Sequence, residues 1–251
     1  MNTTTEQRGR HQERSSLSGK SLEIKVIGKK ELKRFKELAG KFHYMGDGHA
    51  GGDTMRMVVE IDGEWVALFL WGSAAYRLKD RDSFIGWSEP QRAQRQKLIV
   101  QNRRFVLLVD RGAHPNLASR ILGQMIRELP SLWHKRFGYG PLLAETFSDI
   151  EAREGTCYKA SGWLELGKTK GYSRHRADFY VPNDRPKKLW VRELRKDAAV
   201  LLRSPELPSE CITGSKSDAD GVLPLRMSQI ESLHVMLSKV KDPRAGNSVF
   251  H

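Results

Sequence analysis

The apolar residues of the chain alternate between the spacing of strands and the spacing of helices. Residues 22–27 alternate at period two, which predicts a strand, and the following segment repeats its apolar residues at helical spacing (Leu32, Phe35, Leu38, Ala39 and Phe42). Apolar runs at 55–61 and 65–71 flank Asp62-Gly63-Glu64. Because Asp-Gly between two such runs is a strong turn signal, we expect a β-hairpin after the first helix.

The middle of the chain continues the alternation. Residues 91–101 form a short helical pattern, and 105–109 read as a buried strand. A long amphipathic pattern at 117–133 follows Pro115, with Asn116 as its expected N-cap. Strands are expected at 142–147, 163–166 and 178–181, and a short helix at 156–161. The pattern predicts a mixed α/β sheet, antiparallel in its first half, with a helix between two buried strands.

Composition divides the chain into four parts. Residues 1–20 have almost nothing to bury and are expected to be a disordered basic arm. The patterned domain spans 21–204, and 205–225 have the Ser, Pro, Gly and Asp content of a linker. Residues 226–251 carry one more helical stripe, followed by Asp242-Pro243-Arg244 as a helix stop.

The charge favours a polyanionic partner. Forty-three Lys and Arg against 30 Asp and Glu give a net charge of +13, gathered in blocks at 1–41, 76–104 and 168–203. Nucleic acid is the first candidate, and an acidic membrane surface the second. No apolar stretch approaches the roughly 18–20 residues that span a bilayer, and the N-terminus lacks an apolar signal segment, so we expect a cytoplasmic protein. Two cysteines without a CxxC pair exclude a disulfide framework and a zinc ribbon.

The predicted order of elements, β-α-β-β-α-β-α-β-α-β, resembles the GNAT fold of N-acetyltransferases, with helices flanking a mixed sheet. Several linked motifs resemble the DruA family, whose members occur in the Druantia anti-phage system and beside transposases. These motifs are FHYMG (42–46), RDSFIGW (81–87), Arg92 of PQR, VQNRRFVLL (100–108), NLASRILG (116–123), YGPLLAETFSD (139–149), GTCYKASGW (155–163) and GKTKG (167–171). The resemblance implies DNA as a partner, with a transposase or a defence-system helicase as the protein partner.

The C-terminal segment resembles another family. Its helical stripe and the Asp242-Pro243-Arg244 stop are similar to the opening of the N-terminal associated domain of H-repeat-type DDE transposases. That resemblance implies that the chain is the front part of a transposase polypeptide. An ordinary amphipathic tail helix that packs on the domain is the alternative.

The GNAT resemblance places a cofactor turn between the strand at 105–109 and the helix at 117. Small residues with free N–H groups are wanted there to cradle coenzyme phosphates, but this chain has the bulky His114 and the donor-less Pro115. Acetyl-CoA is therefore one option, and the cofactor stays open. Asn116, Ser119 and Arg120 are the candidates to hold an anion at this helix end. The GxGxxG pattern at 46–51 follows a helix and precedes a strand, so it is no dinucleotide site.

Four residues are candidates for catalysis. His43 and Tyr44, at the end of the first helix, resemble a His-Tyr pair of Mom-type phage DNA-modification proteins and suit acid/base chemistry and base stacking, although they could also simply cap the helix. Glu145 lies in an apolar strand, so it must serve a cleft, as a general base, or pair with Arg103 or Arg104. Tyr158 takes a position where GNAT proteins often place an aromatic residue near the reacting centre, or it packs in the core. No spacing of His, Asp or Glu indicates a metal site.

Basic and aromatic residues supply the candidates for nucleic-acid contacts. The first group interleaves cations with an aromatic ring, and the second lies near the last predicted strands; together they are Arg81, Trp87, Arg92, Arg104, Lys168, Lys170 and Arg174. A local ion pair between Arg81 and Asp82, a core position for Trp87 and a solvated basic edge at 168–176 are the alternatives.

Three functions are compatible with these observations. The first is a DNA-associated domain that binds nucleic acid through basic surfaces around a GNAT-like cleft and acts on a base. The second is a group transferase on a protein, an RNA or a small molecule, and the third is a non-catalytic accessory of a transposase. The first predicts that His43, Tyr44 and Glu145 converge in one pocket with positively charged rims.

Overall fold

The computed structural model describes residues 21–42, 52–110, 114–150, 155–169, 172–176, 179–182, 185–208 and 211. The predicted arm at 1–20 and the predicted helix at 226–251 lie outside these residues. Among the described helices, none combines the length and the apolar character that crossing a bilayer requires.

Seven strands form one mixed sheet in the order β1-β2-β3-β4-β5-β9-β6, and β7 pairs with β8 in a separate ribbon. The strands are β1 (Glu23–Val26), β2 (Thr54–Ile61), β3 (Glu64–Ser73), β4 (Ile99–Leu107), β5 (Leu143–Asp149), β6 (Leu164–Lys168), β7 (Tyr172–Arg176), β8 (Phe179–Pro182) and β9 (Lys187–Glu193). Among the described strands of this sheet, only β4 and β5 pair in parallel.

Six described α-helices flank the sheet. They are α1 (Leu32–Phe42), α2 (Lys79–Ile85), α3 (Glu89–Arg95), α4 (Leu117–Phe137), α5 (Thr156–Ala160) and α6 (Ala198–Arg203), and two short 3₁₀ turns lie at Lys29–Glu31 and Gln96–Leu98. Helix α4 connects β4 to its parallel neighbour β5, as a parallel pair requires.

Helices cover both faces of the sheet. The apolar stripe of α4, from Leu117 to Trp133, packs with Trp71, Val100 and Trp190 on one face. On the other face, Phe35 of α1 packs against Val58, Leu68 and Val106. Ile85 of α2 and Leu202 of α6 cover the neighbouring part of that side, over Ile99 and Leu143.

The predicted hairpin is confirmed. Ile61 of β2 pairs with Glu64 of β3 across Asp62 and Gly63, whose φ angles are 52° and 83°. Two successive positive φ angles are typical of the type I′ turn, which matches the right-handed twist of the flanking strands. The Asp-Gly dipeptide tolerates this conformation at low cost, so the local sequence explains the turn.

Several predicted boundaries were wrong. The helix expected at 91–101 ends at Arg95, because β4 already begins at Ile99, and α4 continues past Trp133 to Phe137 despite Pro130. Helices α2 and α6 and strands β7 and β9 were not predicted as elements. The packed chain also continues beyond residue 204, since Cys211 is buried in the cluster beneath α2 and α6.

Candidate functional site

The sheet opens into a fork between its two parallel strands. Residues 99–102 of β4 pair with residues 143–146 of β5, and no pairs join the remainder of the two strands. Both strands continue past this point, to Leu107 and Asp149. The strands therefore diverge after Asn102 and Thr146, and a gap between divergent strands is a place where a ligand can reach the backbone of the sheet.

A bulge in β4 lies directly at this fork. Leu70 of β3 pairs with Arg104, but Trp71 pairs with Asn102, so Arg103 has no opposite residue. The Arg103 guanidinium donates to the carbonyl of Ser73 (2.9 Å) and lies over Gly72, where a Cβ would approach Arg103 Nε to 2.6 Å. Burial and the nearby Arg104 lower the pKa of Arg103, while Glu145 opposes this shift. The bulge thus directs positive charge to one side of the fork.

Asn102 carries an unusual buried amide at the fork. The residue is 3% exposed, and neither its amide nitrogen nor its amide oxygen has a hydrogen-bond partner among the described residues. The indole N–H of its cross-strand neighbour Trp71 likewise lacks a described partner. Burying an unpaired amide costs about 1–3 kcal/mol, and such a group calls for a specific explanation, of which a binding role is one.

Glu145 of β5 lies one residue before the point where the strands diverge. Its side chain is completely buried, on the face of the sheet opposite to that of Asn102. One carboxylate oxygen accepts the backbone N–H of Ala75 (3.0 Å), and the other pairs with Arg81 (2.9 Å) rather than with Arg103 or Arg104. Burial raises the pKa of Glu145, and the Arg81 charge counteracts that effect. Both carboxylate oxygens of Glu145 are thus engaged, and the described contacts are those of a buried ion pair. An ion pair is one of the alternatives expected from the sequence, but its partner is Arg81 instead of Arg103 or Arg104.

Arg81 anchors α2 to the sheet. Its side chain has no exposed surface and bonds to Glu145, to Asp82 (2.8 Å) and to the carbonyl of Ala75 (2.6 Å). The indole of Trp87 donates to the same Asp82 carboxylate (3.2 Å). Arg81 therefore has no surface with which to contact a phosphate, and its predicted nucleic-acid role is replaced by a structural one.

Arg92 is also buried and ion-paired. It is 7% exposed and pairs with Glu89 (2.6 Å) and, at 3.6 Å, with Asp82. Arg104 is half-buried and donates to the carbonyl of Arg103. Lys168 is exposed at the end of β6, whereas Lys170 and the side chain of Arg174 lie outside the described part of the structure.

A basic cavity lies beside the first half of α4, on the α4 face of the sheet. It has a volume of about 740 Å³, and Arg120, Arg127 and Arg192 line it together with Ser119 and Gly162. No carboxylate is among the described residues that line it. Arg120 and Arg127 share one face of α4 because they are seven positions apart, about two helical turns. Three arginines along one cavity make it suited to a phosphate or another anion.

Arg192 is held at the edge of this cavity. Its guanidinium donates to the carbonyl of Gly162 (2.6 Å), and a Cβ at Gly162 would approach it to the same distance. The Nε of Arg192 is buried and has no described partner. Gly162, with φ of 77°, therefore permits both the turn after α5 and the position of the arginine.

The turn before α4 suits a phosphate cradle poorly. Pro115 has no N–H, and the N–H of Leu117 is taken by the carbonyl of His114 (3.3 Å). Asn116 takes the N-cap position in a left-handed conformation (φ 60°), and its side chain forms no capping hydrogen bond. The Ser119 hydroxyl donates to the backbone carbonyl of Asn116 (2.9 Å). Among the described residues of this turn, Pro115 and Leu117 therefore offer no free amide to a coenzyme phosphate, and of the predicted anion-binding residues Ser119 and Arg120 line the basic cavity.

The remaining catalytic candidates have different outcomes. Tyr158 is 8% exposed and stacks on Trp190 (centroids 5.8 Å apart) and against the edge of Trp163 (5.6 Å), so its ring is part of the core. His43 and Tyr44 lie outside the described residues. Within the described part of the chain, no group of three His, Cys, Asp or Glu side chains is arranged to hold a metal ion.

Sequence reasoning missed four residues of interest. Arg127 left a signal, because a cation seven residues after Arg120 can be recognised from the sequence, whereas Asn102 fell between the predicted helix at 91–101 and the predicted strand at 105–109. Arg192 belongs to the unpredicted β9, and Tyr76 lies between β3 and the unpredicted α2. Without those elements neither position could be interpreted.

The family motifs, the fork and the buried Arg81–Glu145 pair lie within one continuous part of the chain. The family model described as "Druantia protein DruA" matches residues 11–183. The chain belongs to the DruA family. The seven-stranded mixed sheet, its fork at β4 and β5 and the helix between them give this DruA-family chain the GNAT-like fold, as predicted. No curated protein matches it in sequence.

Several acetyltransferase structures are similar to this DruA-family chain. The spermidine/spermine N-acetyltransferase SpeG of Vibrio cholerae is 9% identical, with a TM-score of 0.44, and the match covers 69% of this chain and 92% of the enzyme. The aminoglycoside acetyltransferase AAC(6')-Ib is 11% identical, with a TM-score of 0.45, and the match covers 73% of this chain and 100% of that enzyme. The ribosomal-protein-S18-alanine N-acetyltransferase of Escherichia coli is 10% identical, with a TM-score of 0.41, and the match covers 69% of this chain and 94% of that enzyme.

Proposed function

We propose that this DruA-family protein is a DNA-associated protein that binds nucleic-acid phosphates through arginines on both sides of the forked sheet and acts on a base at the fork. The observation that carries the proposal is the cavity beside α4, which Arg120, Arg127 and Arg192 line together. Arginine is the side chain best suited to phosphate, because its planar guanidinium donates two parallel hydrogen bonds.

The opposite face of the sheet supports the proposal. Arg56 of β2 and Arg104 of β4 both pair with Leu70 of β3, so their side chains share a face, and the bulged Arg103 lies over Gly72 on that face. Positive charge therefore borders the fork on either side of the sheet. A polyanion longer than a single coenzyme would satisfy both regions, in keeping with the net charge of +13.

The family and the sequence support a proposal for the setting of the protein. We place its activity in an anti-phage system or a mobile element, in the cytoplasm, with a transposase or a defence-system helicase as its protein partner. The C-terminal resemblance to a transposase-associated domain supports the mobile-element setting. In that setting a non-catalytic accessory role for the domain is the simplest competitor.

A second candidate function is group transfer to a protein, an RNA or a small molecule. It is favoured by the fork together with the unpaired Asn102 amide, since a polar group of an incoming ligand could satisfy that amide. The turn before α4 argues against the usual backbone cradle for acetyl-CoA. Calorimetric titration with acetyl-CoA separates the candidates, because saturable binding is expected of an acetyl-CoA-dependent transferase only.

The proposal is tested by two matched double variants of α4. Arg120→Gln/Arg127→Gln removes two cavity charges, whereas Lys135→Gln/Arg136→Gln removes two exposed charges at the far end of the same helix. For duplex DNA, each lost phosphate contact lowers the slope of log K against log salt by about 0.9, so we expect the first variant to lose about 1.8 and the second to match the unmodified chain. Equal slopes for both variants would contradict the assignment of the cavity.

Action on a base needs a separate measurement. We expect mass spectrometry of nucleosides to detect a modified base in DNA from cells that express the chain with its partners. The same cells carrying Asn102→Leu should lack it. Unmodified nucleosides together with salt-dependent DNA binding would identify a binding protein rather than an enzyme.

A further inference from the structure

Tyr76 is an exposed aromatic side chain next to the buried Arg81 network. It lies between β3 and α2 and is 55% exposed. Among the residues whose burial the structure describes, it is the only large aromatic with this exposure, since the other exposed large apolar side chains are Leu164 and Val200. An exposed aromatic ring on its own is common, so the neighbours of Tyr76 decide its meaning.

Two arginines hold the Tyr76 ring in place. The guanidinium of Arg92 lies 5.3 Å from the ring centroid, and that of Arg77 lies 6.0 Å from it. Glu89 pairs with both arginines, at 2.6 Å and 3.2 Å. These contacts fix the ring without burying it, which reduces the entropy that a stacking ligand would otherwise have to remove.

A cavity of about 590 Å³ adjoins this aromatic group. Arg77, Lys79 and Arg92 line it with Asp82 and Trp87. The Asp82 carboxylate already accepts from Arg81 and Trp87, and Lys79 is exposed and forms no ion pair with any described residue. The cavity therefore offers two exposed cations, Arg77 and Lys79, within reach of an anion bound beside the ring.

We propose that Tyr76 stacks on one base of a single-stranded nucleic acid, while Arg77 and Lys79 contact its phosphate. A base can present its face to a side chain only when it is unstacked, which favours a single strand over a duplex. The combination of an aromatic ring and a cationic groove is the usual means of binding single strands without reading their sequence. The inference rests on the proposed DNA association and adds that the surface around Tyr76 binds single-stranded DNA.

The test uses the full chain and an oligonucleotide that contains 2-aminopurine, whose fluorescence is quenched by stacking. We expect quenching on binding of the unmodified chain and of Tyr76→Phe, which keeps the ring. Tyr76→Ala should lose the quenching and bind the single strand about 5- to 150-fold more weakly. Leu164→Ala, which removes a similarly exposed apolar side chain on β6, should behave like the unmodified chain.

A second variant tests the phosphate contact. Arg77→Gln/Lys79→Gln should lower the salt slope for the single strand by about 1.4, because each contact contributes about 0.7. Unchanged quenching and affinity in Tyr76→Ala would overturn the stacking site while leaving DNA association intact. If the unmodified chain binds neither single-stranded nor duplex DNA, the proposed function and this inference both fail.

Discussion

Two groups of buried polar residues lie close together in this protein, and they differ in how well they are paired. Beneath α2, Arg81, Glu145 and Asp82 satisfy one another through short contacts. At the fork, the Asn102 amide and the Trp71 indole have no described partners. A fully paired network stabilises the fold, whereas an unpaired buried group costs stability, and we propose that the group at the fork is retained because it contacts a ligand.

The largest expected effect comes from breaking the paired network. Arg81→Met leaves the Glu145 carboxylate buried without its counter-charge, so we expect a loss of about 3–5 kcal/mol in the free energy of unfolding at neutral pH, measured in urea. The double variant Arg81→Met/Glu145→Leu should recover most of this loss. If Arg81→Met unfolds at the urea concentration of the unmodified chain, the pair does not anchor α2.

The pH dependence of Arg81→Met provides an internal check. Burial raises the pKa of Glu145, and without Arg81 no nearby guanidinium opposes that rise. The folded variant therefore binds a proton more readily than the unfolded chain, so its stability is greatest below the unfolded pKa and falls as pH rises through the folded pKa. The defect should be smallest in acid, and a defect that grows on acidification would argue against this cause.

A smaller effect of opposite sign is expected at the fork. Asn102→Leu removes a buried amide that has no described partner, so we predict a gain in stability of about 1–2 kcal/mol. Thr146→Val is the matched control, because the Thr146 hydroxyl donates to the carbonyl of Asn102 (3.0 Å) and its loss should cost about 0.5–1.5 kcal/mol. Destabilisation by Asn102→Leu would mean that the amide is paired in the folded protein.

The smallest effect is expected at the exposed edge of the paired network. Glu89 is exposed, and its hydrogen bond with Arg92 lowers the pKa of its carboxyl group. A lowered folded pKa contributes stability above the unfolded pKa and loses it as pH falls through the folded value. Thermal melts should show Glu89→Gln close to the unmodified chain at neutral pH, with any difference vanishing in acid. A large loss of thermal stability at neutral pH would show that the exposed Glu89 contributes to the network as the buried residues do.

The sequence predicts the fold better than the site, for physical reasons. Period-two and helical patterns specify β1, α1, the hairpin and α4 locally, and Asp62-Gly63 specifies its own turn. The glutamate in an apolar strand correctly indicated a need for a partner. That partner, Arg81, lies 64 positions earlier on a helix that was not predicted, and pairing across such a separation is decided by tertiary packing.

The predicted basic rims show the same limit. Charge counts alone could not separate Arg81 and Arg92, which are buried in ion pairs, from Arg120 and Arg127, which line a cavity. Cation density indicates a basic region, but burial decides which cations can reach a ligand. The predicted convergence of His43, Tyr44 and Glu145 stays a prediction, because His43 and Tyr44 lie outside the described residues.

The salt dependence of duplex DNA binding by the unmodified chain tests the central claim most directly. If the three cavity arginines each neutralise one phosphate, the slope of log K against log salt is about −2.7 or steeper, and affinity falls about fortyfold or more between 50 and 200 mM salt. A flat affinity over that range would contradict phosphate binding by these arginines, and with it the proposed association with DNA.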